Sequence, residues 1–446
     1  MQAAPSLGDR RPVAITGVTV IDVAAGRKLR DQTVVVRSGR ITATGMRDSV
    51  RVPVGARVVD GRGRFLIPGL WDMHVHNPEP GSAAMLPVYI AYGVTGVRDM
   101  GSPLQALREQ RARIARGTAV GPRIVMAGPI LDGPLGGGRS MPSPHRQWRM
   151  ELTSPVRARA VVDSLAQAGA DFIKVHERLP ADVYQAILSQ ARRRGLPVAG
   201  HVPAAVGASA VSRARQRSIE HLVNVPFACA PAELGELRPR NGLEALFGGC
   251  AGGDASALLR QFVEDSTWHT PTLVVQQRVA LGPAVTRGDP GLRYVPRSVR
   301  AVLAEAGPLD LPAPQGEARD RMARLFRKRL EQVGDMHRAG VSLLVGTDAP
   351  GVAPGWSVHE EMRLFARAGV PALDALRAAT WSPARYFTAT DSLGSIATGK
   401  IADMVLLDAD PLADIRNSRR IRAVFAGGRF FDRDALDDIL SRARVR

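Results

Sequence analysis

The feature that most limits this chain is a repeated switch of hydrophobic period between residues 63 and 388. Short apolar runs rich in β-branched residues alternate there with stretches whose apolar positions recur every three to four residues. Runs of the first kind fall at 65–71, 95–98, 123–126, 172–175, 197–200, 218–221, 270–275 and 342–345. Amphipathic stretches lie between them, such as 180–194 (PADVYQAILSQARRR, stopped by Gly195) and 317–338. Eight strand-then-helix units predict an α/β fold of the (β/α)8 TIM-barrel type. An open doubly wound sheet would need fewer strands and a switch point.

The two ends read differently. Residues 13–59 carry strand-like runs (VAITGVTVIDV, TVVVRSGRITATG, ARVVD) punctuated by Gly and Asp, and 403–408 and 421–431 repeat that style. A small β-sandwich domain built from 1–62 and 389–446 is expected, with the barrel over 63–388. Two Gly/Pro-rich stretches, 128–153 and 230–300, follow predicted strands and so belong at the C-terminal face, where barrels place their chemistry.

The formal charge of +18 invites a nucleic-acid reading, but the basic residues are scattered along the whole chain with acids interleaved. Aromatic residues make up 5%, too few for an obvious base-stacking surface, so nucleic acid is not the expected partner. Arginine supplies 56 of the 60 basic residues, and lysine occurs only at 28, 174, 328 and 400. No apolar run is long enough for a membrane span. Met1-Gln2-Ala3-Ala4-Pro5 lacks the basic and apolar regions of a secretory signal. Cytoplasmic residence and an exported chain whose signal has been removed both stay open. Two cysteines cannot form a disulfide framework.

Chemistry concentrates at predicted strand ends. In PGLWDMHVH (68–76), His74 and His76 stand two residues apart and so share a face, which lets two imidazoles reach one metal ion. Lys174 lies inside a strand pattern (DFIKVH), where an unpaired cation is costly to bury. An amine can take up carbon dioxide as an anionic carbamate, which a guanidinium does not do readily; snorkelling to solvent is the plain alternative. His201 (VAGHVP), His221 (SIEHLVN) and Asp348 (LLVGTDAP) end the fifth, sixth and eighth strands. Five strand ends in register with metal-competent side chains are hard to assign to packing.

With these residues in place, the chain resembles the metal-dependent amidohydrolase superfamily, in particular the subgroup related to imidazolonepropionases and Xaa-Pro dipeptidases. The likeness runs from about residue 15 to about residue 431 and rests on PGLWDMHVH, IKV, SIEH, GTDA and the tail 378–408. It implies that His74, His76, Lys174 and Asp348 bind one divalent metal ion and His201 and His221 a second. Zinc is the first choice, with cobalt or manganese as alternatives. Carboxylated Lys174 and a hydroxide would bridge the pair. The bridging hydroxide would attack an amide carbonyl, with Asp348 as the proton shuttle to the leaving amine.

The expected substrate is a dipeptide or N-acyl amino acid with a free carboxylate; a cyclic amide or lactone is the alternative. A catalytically inactive polyanion-binding relative is the alternative of another class. His145, His176 and Arg98 are candidates to meet substrate. Arg98 has a structural option in Asp99 or Glu220, and Glu220 is expected to face the surrounding helices as an ion-pair partner. His269 is expected at the opposite end of the barrel. Dipeptidase-like relatives carry a tyrosine shortly after the fifth-strand histidine, but no tyrosine occurs here between Tyr184 and Tyr294. A homo-oligomer is compatible with the sequence.

Overall fold

The structure, a computed structural model, describes residues 11–77, 81–135, 148–229, 249–252, 255–282, 285, 288–297 and 314–444. The N-terminal strands are β1 (Val13–Asp22), β2 (Arg27–Arg37), β3 (Arg40–Met46), β4 (Arg57–Asp60) and β5 (Phe65–Pro68). The middle strands are β6 (Leu70–Val75), β7 (Val94–Asp99), β8 (Arg123–Met126), β9 (Ile130–Asp132), β10 (Arg149–Glu151), β11 (Ile173–Val175), β12 (Val198–Gly200), β13 (Ser218–Glu220), β14 (Phe227–Cys229), β15 (Cys250–Gly252) and β16 (Trp268–Thr270). The last are β17 (Met404–Leu407), β18 (Ile421–Ala426) and β19 (Arg429–Phe431).

Both termini contribute to one eight-stranded sheet, ordered β19-β18-β17-β5-β1-β2-β3 with β4 paired to β1. The single run at 65–71 is therefore two strands. Phe65–Pro68 pairs with β17 in this sheet, and Leu70–Val75 pairs with β7 in another. Gly69 separates them, and a Cβ there would meet the Thr95 side chain at 2.1 Å, so only glycine fits the turn.

Strand alternation makes β5, β17 and β18 a wall between two apolar clusters. Leu66, Met404, Leu406, Ala423 and Phe425 face the cluster of the terminal sheet. Ile67, Val405, Leu407, Ile421 and Val424 face the larger cluster shared with the helices. All ten are buried, and the side-chain period of two puts them alternately on the two sides, with a register shift between Ile421 and Ala423 that turns Ile421 to the helix side.

The middle strands are parallel. They form β6-β7-β8 and β10-β9-β11-β12-β13-β16, with a separate β14-β15 pair. Isolated parallel bridges join His269 to Leu343 and Val75 to Ala349. Residues 342–345, expected as a strand, make this bridge and further backbone bonds such as Leu344 N to His269 O at 2.8 Å. Predicted helices appear at Ala181–Arg193 and Gly316–Arg338. The predicted strand 270–275 is corrected: the strand stops at Thr270, Pro271 follows, and Leu273–Leu281 is a helix. A short apolar run after a proline satisfies either period, and burial on the helix side decides it here. Among the described residues, no helix is long and apolar enough to cross a membrane.

Candidate metal centre

His74 lies on β6 and His76 just beyond it, with ring centroids 5.4 Å apart. Each uses its Nδ1 on an acceptor: His74 on Glu220 Oε2 at 2.9 Å and His76 on the Gly101 carbonyl at 2.8 Å. Both Nδ1 atoms therefore carry a proton, and in the neutral ring that leaves Nε2 as the metal-binding lone pair. The two Nε2 atoms lie 3.5 and 3.2 Å from Asp348 Oδ1, which is also an acceptor. His74 Nε2 is buried without any hydrogen-bond partner. Two imidazole nitrogens and a carboxylate oxygen thus converge on one point. Ligand atoms held at 2.0–2.1 Å around a tetrahedral ion stand about 3.3 Å apart, so these side chains fit a divalent cation.

The same device recurs. His221 donates from Nδ1 to Thr272 Oγ1 at 2.6 Å, and that hydroxyl donates onward to the Pro271 carbonyl at 2.7 Å. His201 donates from Nδ1 to Glu177 Oε2 at 2.6 Å. The His221 ring lies 4.3 Å from that of His74 and 4.9 Å from that of His201. Burial holds the His221 imidazole neutral, down to about 3, and drives His74 and His201 well below the usual histidine value. Neutral imidazole is the form that binds metal.

Lys174, on β11, is 1% exposed. Burial brings its ammonium down to about 8, against the pull of Glu220 and Asp348. About a tenth of the amine is then neutral at pH 7, roughly a few hundredfold more than for an ordinary lysine, and the neutral amine is the nucleophile toward carbon dioxide. Burial alone would raise Asp348, but His221, His76 and Lys174 outweigh it and hold the carboxyl below its usual range. Asp348 has φ 62°, a left-handed conformation that aspartate and asparagine tolerate.

Other expectations are corrected. Arg98 is fully buried and spends all five donors on Met73 O, Ser218 Oγ, the Tyr386 hydroxyl, Glu220 Oε1 and Thr270 Oγ1. It has none left for a substrate. Glu220 does not face the helices: it carries His74 and Arg98 inside the site. Alternation fails because His221 and Leu222 take φ of 58° and 56°, so the strand ends at Glu220 and the chain turns. His269 packs on Phe262 at 4.4 Å, on the helix side of β16 rather than at an opposite end. His145 lies outside the described residues.

His176 reaches the centre as expected, with its ring stacked on His201 at 3.8 Å. Its Nδ1 lies 2.6 Å from Glu177 Oε2, the oxygen that His201 also contacts. His176, Glu177 and His201 form a second cluster with metal-type donors. Contacts of 2.6 Å are hydrogen-bond length and shorter than ligand separations around one zinc ion, so Glu177 serves these imidazoles as an acceptor.

Sequence reasoning missed Glu177, Thr272 and Asp72. Asp72 is buried and accepts from the Thr347 backbone and hydroxyl at 2.9 and 2.6 Å, tying β6 to the Asp348 turn; burial pushes its carboxyl up to about 7. Its shared parity with His74 and His76 was the available signal.

Known structures share this architecture. A bottromycin amidohydrolase is 25% identical with a TM-score of 0.73, covering 98% of this chain and 91% of that one. A Xaa-Pro dipeptidase with bound methionine is 22% identical (TM-score 0.70; 94% and 100% covered), and the A. niger ochratoxinase 20% (0.67; 95% and 96%). A dihydroorotase from Pelotomaculum thermopropionicum is 40% identical over 75 residues, and that match spans 17% of each chain. The sequence pattern of the Amidohydrolase family matches residues 65–430, most of the chain. The chain belongs to that family, the metal-dependent amidohydrolases, and is a hydrolase of carbon–nitrogen bonds.

Proposed function

We propose that this hydrolase cleaves the amide bond of a dipeptide or N-acyl amino acid at a centre of two divalent ions, zinc in the first instance. The observation that carries the reading is the convergence of His74 Nε2 and His76 Nε2 on Asp348. His74, His76 and Asp348 would hold one ion and His201 and His221 the other, and Lys174, as its carbamate, would be a ligand to both. The buried, partly neutral Lys174 amine supports that last role. The parallel runs β6-β7-β8 and β9-β11-β12-β13-β16, with bridges onward to Leu343 and from Ala349 back to Val75, support a closed (β/α)8 barrel. The division into 63–388 and a composite sandwich of 1–62 and 389–446 belongs to the same proposal.

When bound, the ions supply an acidified water and polarise the scissile carbonyl. The chain's own groups do the rest. The Nδ1 anchors fix the tautomer and aim of each imidazole. Asp348 takes one proton from the attacking water and passes it to the amine nitrogen as the C–N bond breaks, while the water oxygen stays on the acyl carbon. Trp148 lies nearly parallel to His76, with ring centroids 6.3 Å apart, and walls that side of the centre.

A cyclic amide is the second reading, favoured by the local likeness to a dihydroorotase. A screen of dipeptides, N-acyl amino acids and cyclic amides with zinc, cobalt and manganese separates the two readings; no turnover in any class would overturn both. Elemental analysis of the loaded protein should give about two ions per chain. Lys174→Ala should bind about one ion fewer and lose activity, partly regained with short carboxylic acids in place of the carbamate. A variant that keeps two ions and normal turnover would remove Lys174 from the centre.

A further inference from the structure

Beside the centre, one buried carboxylate organises two arginines. Asp132, at the end of β9, is fully buried. Its Oδ1 accepts the backbone N–H groups of Gly133 and Arg178 at 2.9 and 3.0 Å. Its Oδ2 accepts Arg149 Nη1 at 3.0 Å and Arg178 Nη2 at 2.6 Å, and lies 3.2 Å from His176 Nδ1. The frame is tight: a Cβ on Gly133 would stand 2.0 Å from the Arg178 carbonyl oxygen.

Asp132 cannot satisfy both forks. Arg178 Nε is buried with no hydrogen-bond partner. The Arg149 guanidinium lies along the His176 ring at 3.0 and 3.4 Å, and it remains 24% exposed, Arg178 33%. The other acid nearby, Glu177, is held by the His176 and His201 imidazoles. His176 in turn stacks on His201, so the guanidinium stands one imidazole away from the proposed centre.

We infer that the Arg149–Arg178 pair is the subsite for the substrate's free carboxylate, with Arg149 as the residue that selects it. The inference rests on the proposed amide hydrolysis. In a C-terminal amide substrate the scissile carbonyl carbon and the carboxylate carbon are only about 3–4 Å apart. The anchor must therefore border the reaction centre, and planar forks held by a buried carboxylate suit bidentate capture of a second one.

The test compares N-acetyl-L-leucine with N-acetyl-L-leucinamide on the metal-loaded full chain. The free acid should be preferred about 10–100-fold in kcat/KM, mainly through KM. Arg149→Gln should erase the preference by weakening the acid alone, and Arg149→Lys should recover part of it. Equal treatment of acid and amide by the unaltered protein, or equal losses on both in Arg149→Gln, would overturn the subsite. Calorimetric titration with the same two compounds separates this from hydrolysis. Binding of the acid alone, lost in Arg149→Gln, supports the subsite even if neither compound is cleaved; no difference in binding overturns it.

Discussion

Asp348→Asn is expected to lower turnover by about 10²–10⁴-fold, the range that a positioned acid–base group supplies. The substitution keeps the shape of the side chain and tolerates the left-handed backbone at φ 62°. It also leaves the bond from the 348 backbone N–H to the His74 carbonyl at 2.7 Å. The fold should therefore survive, with thermal unfolding close to that of the unaltered protein, so the loss reports chemistry. The carboxamide cannot accept a proton from water and return it to nitrogen. Its N–H group also lacks the lone pair that Asp348 turns toward His74 and His76. Near-normal turnover in this variant would take the proton transfer away from Asp348.

The second large effect lies one layer further in. Glu220→Ala should destabilise the fold by about 3–5 kcal/mol in a denaturant titration, because it strands a buried guanidinium. Arg98 and Glu220 are both fully buried and 2.8 Å apart. The same carboxylate accepts His74 Nδ1 at 2.9 Å and Ser218 Oγ at 2.5 Å. The milder Glu220→Gln should keep most of the stability yet weaken metal binding about 10–100-fold, since the partner that orients His74 loses its charge. Glu220→Met combined with Arg98→Met should recover much of the stability lost in Glu220→Ala, because no charge is then left alone. If Glu220→Ala unfolds at the same denaturant concentration as the unaltered protein, the pair is not an internal strut.

What the sequence exposed was whatever depends on short spacing. The shared face of His74 and His76, the strand-end positions of Lys174, His201, His221 and Asp348, and the alternating periods of the middle all follow from residues a few positions apart. Features set by distant partners or by backbone turns were hidden. Arg98 reads as a strand-end cation until the fold brings Ser218, Glu220, Thr270 and Tyr386 around it. Glu220 points into the site because the next two residues leave the strand conformation, which residue type alone does not announce. The run at 65–71 is uniformly apolar, yet it is split between two sheets at Gly69. His201 and Glu177 are 24 residues apart, and no local pattern couples them.

The wall formed by β5, β17 and β18 has a consequence for how the chain is made. Phe65–Pro68 leads directly into the histidine strand and pairs residue for residue with Met404–Leu407. During synthesis the leading segment must wait for more than three hundred further residues before its neighbour exists. Until then, the flank of β5 that β17 will cover is open to other chains. Nascent protein should therefore be vulnerable to cross-pairing late in translation, and an early stop before Met404 should yield aggregate rather than a smaller working enzyme.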